Sequence, residues 1–369
     1  MKVKGFRLCI MLIVGMAVTV GMPSISSATC YLWSGNGYAS LKAALDNNAC
    51  VQIDQGIHTI EQQIYIPAGR TLTGKGSTVS TLAPSQDIGN LSVIAIASSN
   101  VTLSNFRLTG ELNGIGNKAA DLGIAVVPSQ SGAATTGVVI DSMQVDGVRC
   151  DGVTIQGIQT ILRYSVLTNN GGQCYPQYGW YGSAIYTVVY SQYDLAPQIY
   201  GNNIYYNAGT GLDIAQVNNG YLGNNSIWDN GGLGGVVIYE SHGWTIENNL
   251  INNSGGNKYY GHPACEWGGD NTGKTVGILL CCDQDYYDCA AYNTVRNNSS
   301  QGYIGILLIG ADEVQPYEVP RFNTITGNNV YGSVIGCADD FVPGQWVDGN
   351  NLWSNNNCAG TSNTPPAFF

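Results

Sequence analysis

Four apolar stretches in the second half of the chain run into acids at nearly the same offset. Gly235-Val-Val-Ile-Tyr239 leads to Glu240-Ser-His242, and Gly277-Ile-Leu-Leu-Cys-Cys282 leads to Asp283-Gln-Asp285. Gly305-Ile-Leu-Leu-Ile-Gly-Ala311 leads to Asp312-Glu313 and, counted from Ser333, Val-Ile-Gly-Cys-Ala338 leads to Asp339-Asp340. Gln192 and Gln216 fall near the same place in earlier stretches, with Asp213 inside its own stretch. Only 11% of residues are charged, so an acidic stripe departs from the background. If these stretches stack as neighbouring strands, acids on adjacent coils lie roughly 5 Å apart and those two coils apart roughly 10 Å. Retaining glycosidases need about 5–5.5 Å between two carboxyl groups, inverting ones about 6.5–9.5 Å. Crowded acids raise one another's pKa, which supplies a proton donor at neutral pH. Glu240 with Asp283 is the first pair expected to do such chemistry. Asp285, Asp312 and Asp340 are further candidates, with His242 and Tyr239 as orienting groups. The competing readings are solvated turn acids and a Ca²⁺ site, since Ca²⁺ prefers several carboxylate and carbonyl oxygens.

Aromatic residues cluster in the long segments that flank these stretches. Tyr178, Trp180 and Tyr181 follow Cys174; Tyr260 and Trp267 precede Gly277; Tyr286 follows Asp285. Rings beside acids suit a polysaccharide groove, because sugar C–H faces pack on rings while hydroxyls meet polar atoms. Packing over the coils to seal the core is the alternative for any one ring. His58 and His262 read as turn or loop residues, and three histidines in all argue against a His-rich metal centre.

The elements that position these groups are announced by Asn-Asn pairs. They occur at 202, 224, 248, 297, 328 and 350, each beside apolar residues and several separated by 22 to 24 residues. That interval, with short strands and no helical period, predicts a solenoid. Left-handed turn conformations explain the Gly and Asn, and an inward Asn can hydrogen-bond its equivalent one coil along to build a ladder. The one helix expected lies around Ser40-Leu-Lys-Ala-Ala-Leu45, capped by Ser40, with Leu41, Ala44 and Leu45 facing the core as a lid. One solenoid domain is expected over residues 29–360, followed by a tail over 361–369.

Residues 1–28 read as a signal peptide: Lys2, Lys4 and Arg7, an apolar Leu8–Val20 core, then Ser26-Ser27-Ala28. Its apolar core falls short of the ~20 residues that span a bilayer, so the mature chain is expected outside the cytoplasm. Ten of the 11 cysteines then remain, an even number that suits disulfides in an oxidising compartment. Nearest-neighbour closure gives Cys30–Cys50, Cys150–Cys174 and Cys337–Cys358, leaving Cys265, Cys281, Cys282 and Cys289 to pair among themselves. The net charge of −11 argues against nucleic acid and anionic membranes as partners. A monomer acting on extended polysaccharide is expected.

Taken together, the coils, the stretch Ile53-Asp-Gln-Gly-Ile-His-Thr-Ile60, the stretch Ile66-Pro-Ala-Gly-Arg-Thr-Leu-Thr-Gly-Lys-Gly76 and the Asn-Asn turns resemble the right-handed parallel β-helix superfamily of pectin-lyase-like proteins over residues 50–355. The resemblance implies an all-β parallel solenoid with a short capping helix. It also implies a choice among polysaccharide lyases, glycoside hydrolases, uronate epimerases and non-catalytic surface proteins. The strings nearest to polygalacturonase motifs, Asn271-Thr-Gly, Ala338-Asp-Asp340 and Ser241-His-Gly243, each depart at a defining position, and the Asp-Pro-His string of alginate epimerases is missing. A hydrolase of neutral or weakly charged glycan ranks first. A lyase, with Lys258, Lys274, Arg163 or Arg321 as base and Ca²⁺ neutralising the substrate, ranks second; a non-catalytic glycan-binding solenoid is the reading from another class. Ca²⁺ is the one cofactor this reading admits.

Overall fold

The computed structural model describes residues 29–172, 174, 182–188, 195–232, 234–252, 276–282, 289–309, 320–333, 335–340 and 350–358. Within them the chain winds through three parallel sheets of 12, 10 and 10 strands, termed here A, C and B. A coil supplies a strand to sheet A, then one to B, then one to C; Gln198–Tyr200, Asn203–Tyr205 and Leu212–Ala215 are one such turn. Each pairs in parallel with its counterpart in the next coil, Tyr221–Gly223, Ser226–Trp228 and Gly234–Tyr239. This is the right-handed parallel β-helix expected from the repeat.

Inward columns hold the coils together. In sheet A, Leu103, Ile140, Leu162, Ile199, Leu222 and Ile246 stand in one register line, all with no accessible surface. Burying each such side chain is worth roughly 1.5–3 kcal/mol. Sheets B and C send Leu167, Ile204, Ile227 and Ile185, Leu212, Val236 into the same cluster.

The corners that carry the Asn ladders share one pattern. A residue in the left-handed conformation turns the chain, and the residue after it points an amide inward. Asn224, Asn248 and Asn297 are left-handed, with φ of 55°, 56° and 54°, and the buried ladder residues are Asn225, Asn249 and Asn298. Where the pair is Asn202-Asn203 or Asn328-Asn329, Gly201 or Gly327 takes the turn and the first Asn enters the ladder. Asn202 donates to Asn225 Oδ1 (3.0 Å), Asn225 to Asn249 (2.9 Å), Asn249 to Asn298 (2.9 Å), Asn298 to Asn328 (3.0 Å) and Asn328 to Asn356 (2.9 Å). Each also donates to a backbone carbonyl, such as Asn225 to Ile199, so buried corner groups are satisfied by amides. Asn170, Asn207 and Asn230 form a second ladder at the B-to-C corner, and Asn293, Asn323 and Asn351 a third at the C-to-A corner.

The cap departs from expectation in one detail. The helix is Tyr38–Asn47 with Gly37 at its N-cap, so Ser40 lies inside the first turn. Ser40 Oγ instead accepts from Trp33 Nε1 and donates back to Asn36 and Gly37 carbonyls. Glu61 supplies the cap from a distance, accepting the Tyr38 N–H at 2.8 Å. Leu41, Ala44 and Leu45 are buried, as the lid role requires.

Cys30–Cys50, Cys150–Cys174 and Cys337–Cys358 are bonded as nearest-neighbour closure anticipates, and Cys282–Cys289 joins two of the remaining four. Cys281 is disulfide-bonded as well.

Candidate functional site

The outer surface of sheet C changes character midway. Its register places Ala125, Thr154, Tyr186, Asp213, Val237, Leu279, Leu307 and Ala338 in one outward column. Alternation along each strand dictates this, since Leu212 and Ile214 face the core and Asp213 between them must face out. From Val237 onward the outward side is an apolar cluster in which Val237, Leu279 and Leu307 are almost fully buried. Before it, three successive coils carry a hydroxyl, a phenol and a carboxyl.

Asp213 is one of two carboxyls whose chemistry the surroundings alter strongly. It retains some accessible surface, yet Oδ1 is buried and has no hydrogen-bond partner among the described residues. Desolvation disfavours the charged form, and its pKa is raised to about 7. Asp151 sits at the mouth of the strand Val153–Ile155, immediately after the Cys150–Cys174 bridge. Burial raises its pKa to about 7 too. The Ser183 N–H, donating at 2.6 Å, opposes that rise, and the Asp213 charge adds to it. The Asp213 charge is thus felt at Asp151, while burial is what raises Asp213 itself. Among the described residues no cation offsets either of them. Tyr186 lies on the coil between Thr154 and Asp213 and packs against the start of the apolar cluster.

The acids singled out from sequence are placed differently. Glu240 is described: it is 5% exposed, takes a left-handed corner conformation with φ 49° and accepts from Gln216 Nε2. Gln216 holds the same left-handed position one coil earlier, three residues after Asp213. The two were expected to be neighbours and are. Tyr239 belongs to the apolar outer cluster. His242 turns its ring to the Cys289 carbonyl, 3.0 Å from Nε2, which only an N–H can satisfy. Its backbone N–H donates to Asn218 Oδ1.

One alignment is corrected by the register. Gly235, Gly277 and Gly305 are level, but the fourth coil continues the row at Gly336 rather than Ser333. Asp340 is therefore level with Tyr239 and Ile309, not with Glu240, because the chain takes three more residues to reach sheet C there. Asp283, Asp285, Asp312, Tyr178, Trp180, Tyr181, Tyr260, Trp267 and Tyr286 lie outside the described residues. Asp151 and Tyr186 escaped notice. The available signal was a carboxylate or phenol where sheet C otherwise places an apolar outward residue. Among the described residues no group of three or more His, Cys, Asp or Glu side chains could hold a metal ion.

No family model matches the chain, and no curated protein matches it by sequence. Solved structures match by shape. The A-module of mannuronan C-5 epimerase AlgE4 from Azotobacter vinelandii superposes over 89% of this chain and 93% of its own, with TM-score 0.62 and 17% identity. PfbA, a surface adhesin of Streptococcus pneumoniae, does so over 83% and 79%, with TM-score 0.60 and 13% identity. An alginate lyase from Paenibacillus sp. str. FPU-7 covers 89% and 99%, with TM-score 0.57 and 14% identity. At identities this low, the superpositions show a shared parallel β-helix fold.

Proposed function

We propose that this protein is a secreted carbohydrate-active enzyme that cleaves an extended polysaccharide lying across the outer face of sheet C. The observation that carries the reading is Asp213, an outward carboxyl with a buried, unpartnered oxygen and a pKa of about 7, electrostatically coupled to Asp151. A core or solubility role would leave no reason to hold such a group there. Both carboxyls are held up near neutrality, so one can donate a proton to a glycosidic oxygen while the other, ionised, assists attack from the opposite side. Asp213, whose buried Oδ1 has no hydrogen-bond partner among the described residues, is the proton donor, and Asp151, held as the anion by the Ser183 N–H, is the base or nucleophile. Gln216 and Glu240 extend the polar surface toward the C-to-A corner. The net charge of −11 favours a neutral or weakly charged glycan.

Secretion is supported by the disulfides and by the basic and apolar segment at residues 1–28. No helix of the described residues is long and apolar enough to cross a membrane.

A lyase is the second reading. The fold likeness to an alginate lyase and a mannuronan epimerase favours it, as does the Tyr186 phenol beside Asp213, a second group able to move a proton. Incubation with plant and microbial glycans separates the two. New reducing ends without unsaturated-uronate absorbance mean hydrolysis; that absorbance means elimination; binding without products sinks the enzymatic proposal. Full activity in Asp213→Asn on a confirmed substrate would remove the site.

A further inference from the structure

Tyr206 stands at the B-to-C corner in the left-handed conformation, with φ of 55°, and is 59% exposed. A bulky side chain disfavours that backbone. Neither burial nor the turn itself calls for it, since Asn169 takes the same corner one coil earlier. What the position does is complete a cluster of rings. Tyr205 and Trp228 are register partners in sheet B and stack face to face, with centroids 4.4 Å apart and planes 5° apart. Tyr206 lies 5.4 Å from the first and 4.7 Å from the second, at 80° and 75°. A ring that close to both members of a stack, and nearly perpendicular to both, lies beside the stack and takes their edges on one of its faces. Its other face turns away from the cluster, which accounts for the exposure. Trp228 is pinned in turn, its indole N–H donating to Asn203 Oδ1 at 3.0 Å. The other aromatic corners differ: the Tyr164 ring lies across the Gly201 position, and Tyr292 and Phe322 stack on each other.

We infer that the open face of Tyr206 is a sugar-binding subsite for a neutral glycan, set to one side of the proposed cleavage face. A pyranose lays a C–H face on such a ring and directs its hydroxyls to polar groups around it. The corners one coil before and after carry Asn169 and Asp229, both left-handed with φ of 55° and 50°. They offer an exposed carboxamide and a partly exposed carboxylate. Both groups accept from sugar hydroxyls, and the Asp229 charge repels a polyuronate. The corner is the edge by which the chain enters sheet C, and Asp151 stands on that entry side, just ahead of Val153–Ile155. Asp213 follows Tyr206 by seven residues on one coil, at most about 25 Å of chain, so one extended glycan reaches both. The inference rests on the polysaccharide reading but not on its chemistry.

Affinity electrophoresis of the full chain tests it, with a β-glucan, a xylan, a galactomannan and a polyuronate in separate gels. At least one neutral polymer is expected to retard the parent protein. Tyr206→Asn should weaken that retardation about fivefold, and Tyr206→Phe should retain it. Tyr164→Ala, which removes an exposed corner ring elsewhere, should also retain it. Tyr206→Asn installs the residue that the preceding coil already carries at this corner, so its melting temperature should stay within about two degrees of the parent. Retardation by none of the neutral polymers, retardation unchanged in Tyr206→Asn, or an equal loss in Tyr164→Ala would overturn the subsite. So would a fall of more than about five degrees in Tyr206→Asn, which would make the ring a packing element. Binding is read without turnover, so failure of the cleavage proposal and failure of this one are separate results.

Discussion

Sheet C presents two outer surfaces built on one backbone. On the coils from Val237 onward the outward column is apolar and buried, with Leu279 and Leu307 at 2% exposure. On the three coils before it the column reads Thr154, Tyr186, Asp213. Inside the solenoid the same coils are nearly interchangeable: Ile155, Ile214, Ile238 and Leu280 do one job at one depth, and Thr187 is the polar exception in that column. The difference teaches that stacking fixes only the inward half of each strand. Where outward residues are apolar and buried, stability explains them. Where a carboxyl is held outward without a partner for its buried oxygen among the described residues, stability argues against it, and this is the basis of the proposed role in proton transfer.

The sharpest way to break that contrast is at Asp213. Asp213→Asn preserves shape and removes the titrating proton, so turnover on a confirmed glycan should fall by about 10²–10⁴-fold. Its register neighbour on the apolar side should behave oppositely. Leu279→Asn buries an amide in the outer cluster and should cost about 3 kcal/mol in denaturant unfolding, with the loss of activity no larger than the loss of folded protein.

The pH dependence of stability provides a third test. Asp213 has a folded pKa raised to about 7 from an ordinary value of 3.8, so the folded state resists its ionisation. Its neutral form is compatible with the fold below about pH 4, and stability is lost progressively as pH rises through about 7. Asp151 adds to the same loss. Melting temperatures of the parent and Asp213→Asn should therefore agree near pH 4 and diverge by pH 8, with the variant the more stable by about 1–3 kcal/mol. A gap that closes with rising pH would contradict the burial argument.

The smallest effect expected is the most specific to the comparison. Asp213→Val continues the apolar column with the residue that stands one coil along. It should gain about 1 kcal/mol at neutral pH while abolishing turnover. A loss of stability would mean that the carboxyl is structurally engaged after all.

Much of the fold was legible because its physical causes are local. Asn-Asn pairs mark corners, since the left-handed turn and the inward amide both favour that side chain, and the hydrogen-bonded row from Asn202 to Asn356 follows. The cap was legible in its apolar face and misread at its start, because Glu61 reaches Tyr38 across 23 residues and replaces the local Ser cap. The candidate site was less legible. Equal offsets suggested that Asp340 follows the row of Glu240, but the length of the connection before sheet C shifted it by three residues. Asp151 gained its character chiefly from burial, with a smaller push from Asp213, 62 positions later, and no spacing rule anticipates either.

By itself, then, the sequence determined that this chain coils, which residues turn it, and how its cysteines near one another close; each depends on contacts within one repeat or between successive ones. Only the tertiary structure decided which polar side chains share the outer face of sheet C and which of them lose water. Desolvation and coupling depend on what stands above and below in the stack. Those neighbours are set by the accumulated length of every loop between them.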